Sequence, residues 1–154
     1  AHTLSHVAVV PALDLPLSDL IHISPSGNMQ LGERMANAAL GMVYGRPIHY
    51  AAPDVRTAQL LADGQRIVLT FEHVSDRMDS TDQAANCFVV EDDVGLIPLA
   101  QVEYPMDATI QLVFGRTLVG HGFVHGAFGH DPALAPVDMN RHMPMLGFYG
   151  LPVT

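Results

Sequence analysis

From Val55 to the C-terminus, apolar residues fall in short runs, and each run is soon cut by a turn residue. That spacing leaves no room for long helices and predicts a string of short antiparallel strands. Val55–Leu60 begins as an alternating strand, Asp63-Gly64 suits a two-residue hairpin turn, and Arg66–Phe71 reads as the returning strand. Ser75–Ala85 is polar and acidic and predicts a loop. Cys87–Val90 is the next strand, and Asp92-Asp93 with Gly95 makes the following turn. Ile97–Tyr104 and Thr109–Phe114 are further strands, separated around Pro105-Met106-Asp107. Pro98 places the first of these at a sheet edge or starts it one residue later. Phe123–Phe128 is another strand, 129–142 a loop rich in proline, aspartate and histidine, and Met145–Tyr149 the last strand. Together they predict a small antiparallel β-sandwich of roughly one hundred residues.

The first fifty residues read differently. Val7–Val10 is a candidate buried strand, and Pro11 and Pro16 break up the chain beyond it. Asp19-Leu20-Ile21-His22 comes next, then Ser24 as a helix N-cap and Pro25 at the first helical position. Leu31, Met35, Ala38, Ala39 and Met42 recur with helical spacing, and Gly45 is a natural stop. One strand and one helix cannot bury both faces of anything. A sheet for them must come from upstream sequence, another chain or the β-rich remainder. The expected division is 1–50, an α/β closing unit, and 51–154, a β-sandwich.

An aspartate three residues before a histidine, in a loop that opens a helix, suits a general base and its orienting carboxylate. A helix-capping surface turn contains the same four residues, so the pair alone decides little. The flanking order of strand, Asp-x-x-His loop and amphipathic helix resembles the last catalytic block of the SGNH hydrolases. More narrowly, IHISPSGNMQLGERMANAALGMVYG is similar to the sialate O-acetylesterase branch. The matching residues are Asp19, His22, Gly27, Leu31–Ala36 and Tyr44-Gly45. Leu20 departs from the pattern, where glycine is more usual. The β half resembles the small β region that follows the hydrolase domain in such proteins, through the pair Val55–Phe71 and the segment Phe123–Ala127.

The resemblance implies a three-layer α/β domain ending in Asp19 and His22, and a serine nucleophile in a Gly-Asp-Ser or Gly-Gln-Ser setting. Ser5, Ser18, Ser24, Ser26, Ser75 and Ser80 are the serines present, and none has that setting. The expectation is therefore the C-terminal portion of a carbohydrate O-acetylesterase, inactive alone, with its serine in an upstream segment or another chain. Its implied substrate is an acylated carbohydrate. The alternative is a non-catalytic binding or structural module of a larger assembly, derived from such a hydrolase.

Composition narrows the partners. The net charge is −9 with no lysine, which argues against nucleic acid and anionic membranes. A hydrophobic content of 49% fits a globular chain, and no apolar run is long enough to cross a bilayer. The chain starts at Ala1, which fits processing or trimming. Compartment is not readable from the residues; extracellular or periplasmic is the expectation, and homo-oligomerisation stays open. Cys87 is the one cysteine and reads as a small core residue. No cofactor and no metal is expected. A weaker alternative sets His121 and His125 on one face of a strand, with Asp131 or Asp138 completing a metal site, and the acidic run Glu91–Asp93 could equally hold calcium.

Overall fold

The computed structural model describes residues 4–80, 86–105, 107–129, 132 and 134–154. The chain divides into two compact units, Ala1–Ala52 and Pro53–Thr154. Among the described residues there is one α-helix; the rest of the regular structure is antiparallel β-sheet.

In the first unit, α1 spans Pro25–Met42. Its start is set by local chemistry. Ser24 has extended backbone angles and its hydroxyl accepts from the Gly27 amide, while proline occupies the first turn, where no amide donor is needed. Gly45, at φ +63°, turns the chain away after the helix. The expected strand Val7–Val10 is not found. The segment makes no ladder, and Val7 and Val9 are about half exposed. An apolar run becomes a strand only beside a partner, and the described residues of this unit hold no other strand. Of the predicted helix face, Ala38 is buried, whereas Met35 is largely exposed.

The second unit holds two four-stranded sheets. One runs β1 (Asp54–Leu60), β2 (Arg66–Glu72), β7 (Thr109–Phe114) and β6 (Leu99–Glu103) in that spatial order. The other runs β11 (Phe148–Pro152), β8 (Phe123–Gly126), β4 (Phe88–Asp92) and β5 (Gly95–Ile97). Alternate residues face inward, so Ile67, Leu69, Ile110 and Leu112 of one sheet and Val90 and Val124 of the other are fully buried in one core. Cys87 belongs to that core, and burial pushes its thiol up to about 11, which fits a structural role. Leu60 and Thr154 tie β1 to the C-terminus: the Leu60 amide donates to the Thr154 carbonyl at 2.9 Å, and the Thr154 amide to Ala58 at 2.9 Å.

Four expectations change in detail. The β1–β2 turn is longer than two residues, because pairing closes at Leu61 and Arg66 around 62–65. Asp63 accepts the Gln65 amide, and Gly64 takes φ +68°. The run Ile97–Tyr104 is cut at Pro98 into two edge strands of different sheets, since proline cannot continue a ladder. The loops Ser75–Ala85 and 129–142 contain β3 (Met78–Asp79) and β9 (Val137–Asp138), and β9 pairs with β3 on one side and with β10 (Met143–Pro144) on the other; residues 81–85, 130, 131 and 133 of these loops lie outside the described residues. The last strand is β11, not Met145–Tyr149; Met145 is fully buried core.

Candidate active site

The loop from Pro16 to Ser24 is closed at its neck. Leu17 and Ile23 form an antiparallel bridge, the Ser24 amide donates to the Pro16 carbonyl at 2.8 Å, and the Ser18 amide to His22 at 2.8 Å. Gly27 is buried beneath it. A Cβ there would lie 2.6 Å from Ile23 Cγ2 and 3.0 Å from the Pro16 carbonyl oxygen. The helix start and the loop neck can therefore approach only where residue 27 has no side chain.

Within this loop Asp19 organises its neighbours. Its Oδ1 accepts the amides of Ile21 at 2.9 Å and His22 at 2.8 Å, and its Oδ2 lies 2.7 Å from His22 Nδ1. The two amides and the imidazole hold the Asp19 carboxyl below the usual carboxylate range, the Ile21 amide contributing most. An ionised carboxylate can only accept, so Nδ1 carries a proton, and in the neutral ring Nε2 is the nitrogen with the lone pair. Among the described residues Nε2 has no hydrogen-bond partner, and the His22 side chain is 69% exposed. The two predicted residues thus lie together, with the nitrogen that would act as base facing outward. Leu20, the departure from the family pattern, is almost wholly exposed and leaves the pair intact.

A second contact holds the region before the loop. Arg34, buried on α1, donates to both carboxylate oxygens of Asp14, at 2.7 and 2.6 Å, and to the Pro11 carbonyl at 2.9 Å. A planar guanidinium matches a carboxylate in this bidentate way, and lysine could not. Arg34 falls within the run that resembles the family, but nothing in the sequence pattern gives it a role.

Three of the six serines are engaged with neighbouring groups. Ser24 caps the helix, Ser18 donates to the His22 carbonyl, and Ser75 hydrogen-bonds the buried Asp138. Among the described residues, the side chains of the metal alternative have other partners. His121 is exposed and 3.4 Å from Asp93, whereas His125 is buried and 3.2 Å from Glu91. Asp138 is spent on Ser75 and Arg141, and Asp131 lies outside the described residues. Asp92, central to the calcium alternative, takes both guanidinium nitrogens of Arg116 at 2.6 and 2.9 Å, which holds its carboxyl far below the usual range. No group of three metal-ligating side chains occurs among the described residues.

No protein-family model matches the chain, and no curated protein matches it. Among solved structures it is similar to a carbohydrate acetylesterase from Xanthomonas citri, at 18% identity and TM-score 0.65, over 88% of this chain and 30% of that one. It is also similar to the S-layer protein SbsC, at 14% identity and TM-score 0.51, over 86% of this chain and 17% of that one. The chain thus spans less than a third of the length of either. The acetylesterase match is longer than the β unit, so it runs into the unit that carries Asp19 and His22. At these identities the likeness is one of fold: this chain has the fold of a stretch of a carbohydrate acetylesterase.

Proposed function

We propose that this chain is the C-terminal portion of an SGNH-type serine esterase that removes acyl groups, acetyl above all, from a carbohydrate. The observation that carries the proposal is the 2.7 Å contact between His22 Nδ1 and Asp19 Oδ2, with Nε2 left open. In this reading the nucleophilic serine belongs to sequence outside the 154 residues. The resemblance of residues 19–45 to sialate O-acetylesterases favours an acetylated sugar.

His22 Nε2 then accepts the proton of the serine hydroxyl as its oxygen attacks the ester carbonyl. The resulting imidazolium is stabilised by Asp19, which stays ionised. As the tetrahedral intermediate collapses, Nε2 gives the proton to the sugar oxygen, which leaves as an alcohol. Water, deprotonated by the same nitrogen, cleaves the acyl-enzyme and restores the serine. The large apolar exposure of the first unit supports a longer polypeptide. Leu20, Ile21, Met29, Met35, Val43 and Tyr44 all stand more than half exposed.

A serine-directed fluorophosphonate applied to a polypeptide containing this chain tests the proposal. One serine outside residues 1–154 should be labelled, and His22→Ala should slow labelling at least a hundredfold, the lower end of what a general base contributes, ~10²–10⁴. Absence of a labelled serine, or labelling at an unchanged rate, would refute it. The likeness to SbsC favours, more weakly, a non-catalytic module of a larger assembly. On that reading His22→Ala changes no hydrolysis.

A further inference from the structure

The outer end of β8 and β11 presents two aromatic rings that the core does not use. Phe128 is 61% exposed and Tyr149 68% exposed, yet their ring centroids are 4.6 Å apart with a 35° tilt. They border an open depression of about 510 Å³, completed by Ala127, Gly129, Gly147 and Phe148. That volume is in the range of small-molecule sites.

Several unusual features converge on these rings. Between Phe148 and Leu151 the β11 register against β8 shifts by one residue, and Gly150 takes φ +68°. A bulge of this kind re-aims a side chain, here Tyr149. The freed Gly150 amide donates to Nδ1 of the buried His125 at 3.0 Å. His125 therefore carries its proton on Nε2, which lies 3.2 Å from Glu91 Oε1. Its ring sits 4.4 Å from Tyr149 and 6.1 Å from Phe128. Ala127, the residue after β8, takes φ +47°, a conformation that costs a residue with a side chain on the order of 1 kcal/mol. A Cβ at Gly147 would meet the Ala127 carbonyl oxygen at 2.8 Å, so the backbones close beneath the rings only with glycine there.

We propose that Phe128 and Tyr149 form a preorganised stacking platform for a neutral sugar ring. Among the described residues no charged side chain lines the depression, and the chain's charge of −9 disfavours an anionic polymer. Exposed rings offer faces for the C–H edges of a pyranose. The choice of a saccharide over another uncharged ligand rests on the carbohydrate-esterase reading. The role of His125 is to position Tyr149.

The test is binding of neutral hexasaccharides (a β-glucan, a xylan and a mannan) to a polypeptide that contains this chain, by calorimetry and NMR, with a galacturonan hexamer as the anionic comparison. At least one neutral hexasaccharide should bind, and the galacturonan should bind more weakly. Phe128→Ala and Tyr149→Ala should each lower its affinity roughly threefold to tenfold, whereas Phe128→Tyr and Tyr149→Phe, which keep a ring, should retain it. Phe128→Ala removes an exposed group, so its folding is secure and its result decides even where Tyr149→Ala misfolds. Binding of none of the three neutral sugars, unchanged affinity in Phe128→Ala, or equal preference for the galacturonan would overturn the proposal. So would sedimentation showing that the patch pairs two copies of the chain, lost in Phe128→Ala. The readout is sugar binding and not ester cleavage, so failure here is distinct from failure of the Asp19–His22 chemistry.

Discussion

In the β unit, Ile67, Leu69, Ile110, Leu112, Val90 and Val124 are shut away between two sheets. In the helix-bearing unit, residues of the same kind, among them Leu20, Ile21, Met29 and Val43, stand in solvent. The β unit is held by apolar burial spread over eight strands of two sheets. The helix-bearing unit is held by a few polar ties: the Ser24 cap, the Asp14–Arg34 pair and the hydrogen bonds around Asp19. Burial of apolar surface is additive and tolerant of local loss. Polar ties are directional, and each fixes one geometry. The difference places the candidate chemistry on the unit whose side chains are positioned rather than packed.

That contrast can be broken by substitution. The largest effect is expected from Leu112→Ala in the sandwich core, a loss of about 2–5 kcal/mol. Chemical denaturation should show it as a lowered β-unit transition; a loss below about 1 kcal/mol would mean that the core is not the source of that unit's stability. Next is Arg34→Ala, which leaves the Asp14 carboxylate without its guanidinium. Breaking a buried pair costs about 3–5 kcal/mol, and partial exposure of Asp14 brings this to about 2–3. Hydrogen exchange should quicken in residues 11–42 and stay unchanged in β2 and β7. Equal quickening in both units would erase the distinction. Gly27→Ala should cost about 1–3 kcal/mol by overpacking Ile23 and Pro16, and should disturb the His22 resonances through the loop neck.

The smallest effect concerns pH. Asp19 is held lower when folded than when unfolded, so the order it lends the loop is complete above about pH 4. That order is lost as pH falls through the lower folded value. Carboxyl carbon shifts tracked by NMR should place the Asp19 midpoint below that of an exposed aspartate. A midpoint at or above the ordinary value would mean that the amide and imidazole contacts do not form.

The features legible in the sequence were local. Ser24, Pro25 and Gly45 determine where α1 starts and where the chain turns after it through contacts within one turn, and the structure agrees with them. Strands β2 and β7 arise from alternation that a single face enforces, whereas β1 breaks its alternation at a register shift between Val55 and Thr57. Features that depend on a distant partner were not legible. Pro98 splits one apolar run because β5 and β6 find neighbours in different sheets. β9 forms inside a polar loop because Asp138, fully buried, is bonded by Ser75, 63 positions earlier, and by Arg141. Val7–Val10 has a strand's composition but no ladder. In the candidate site, Asp19 and His22 were readable because they lie only three positions apart. The Asp14–Arg34 tie spans twenty and carried no signal beyond a lone arginine on the helix. His125 was visible as a histidine, but its burial beneath Tyr149 depends on a β-bulge that no short-range pattern announces.

We propose His22, oriented by Asp19, as the base of an esterase completed by other sequence. The most direct test is kcat/KM for acetate release from an acetylated sugar by a polypeptide that includes this chain, compared with its His22→Ala variant. The account predicts a fall on the order of 10²–10⁴ with the fold unchanged. Equal rates in the two proteins would contradict it.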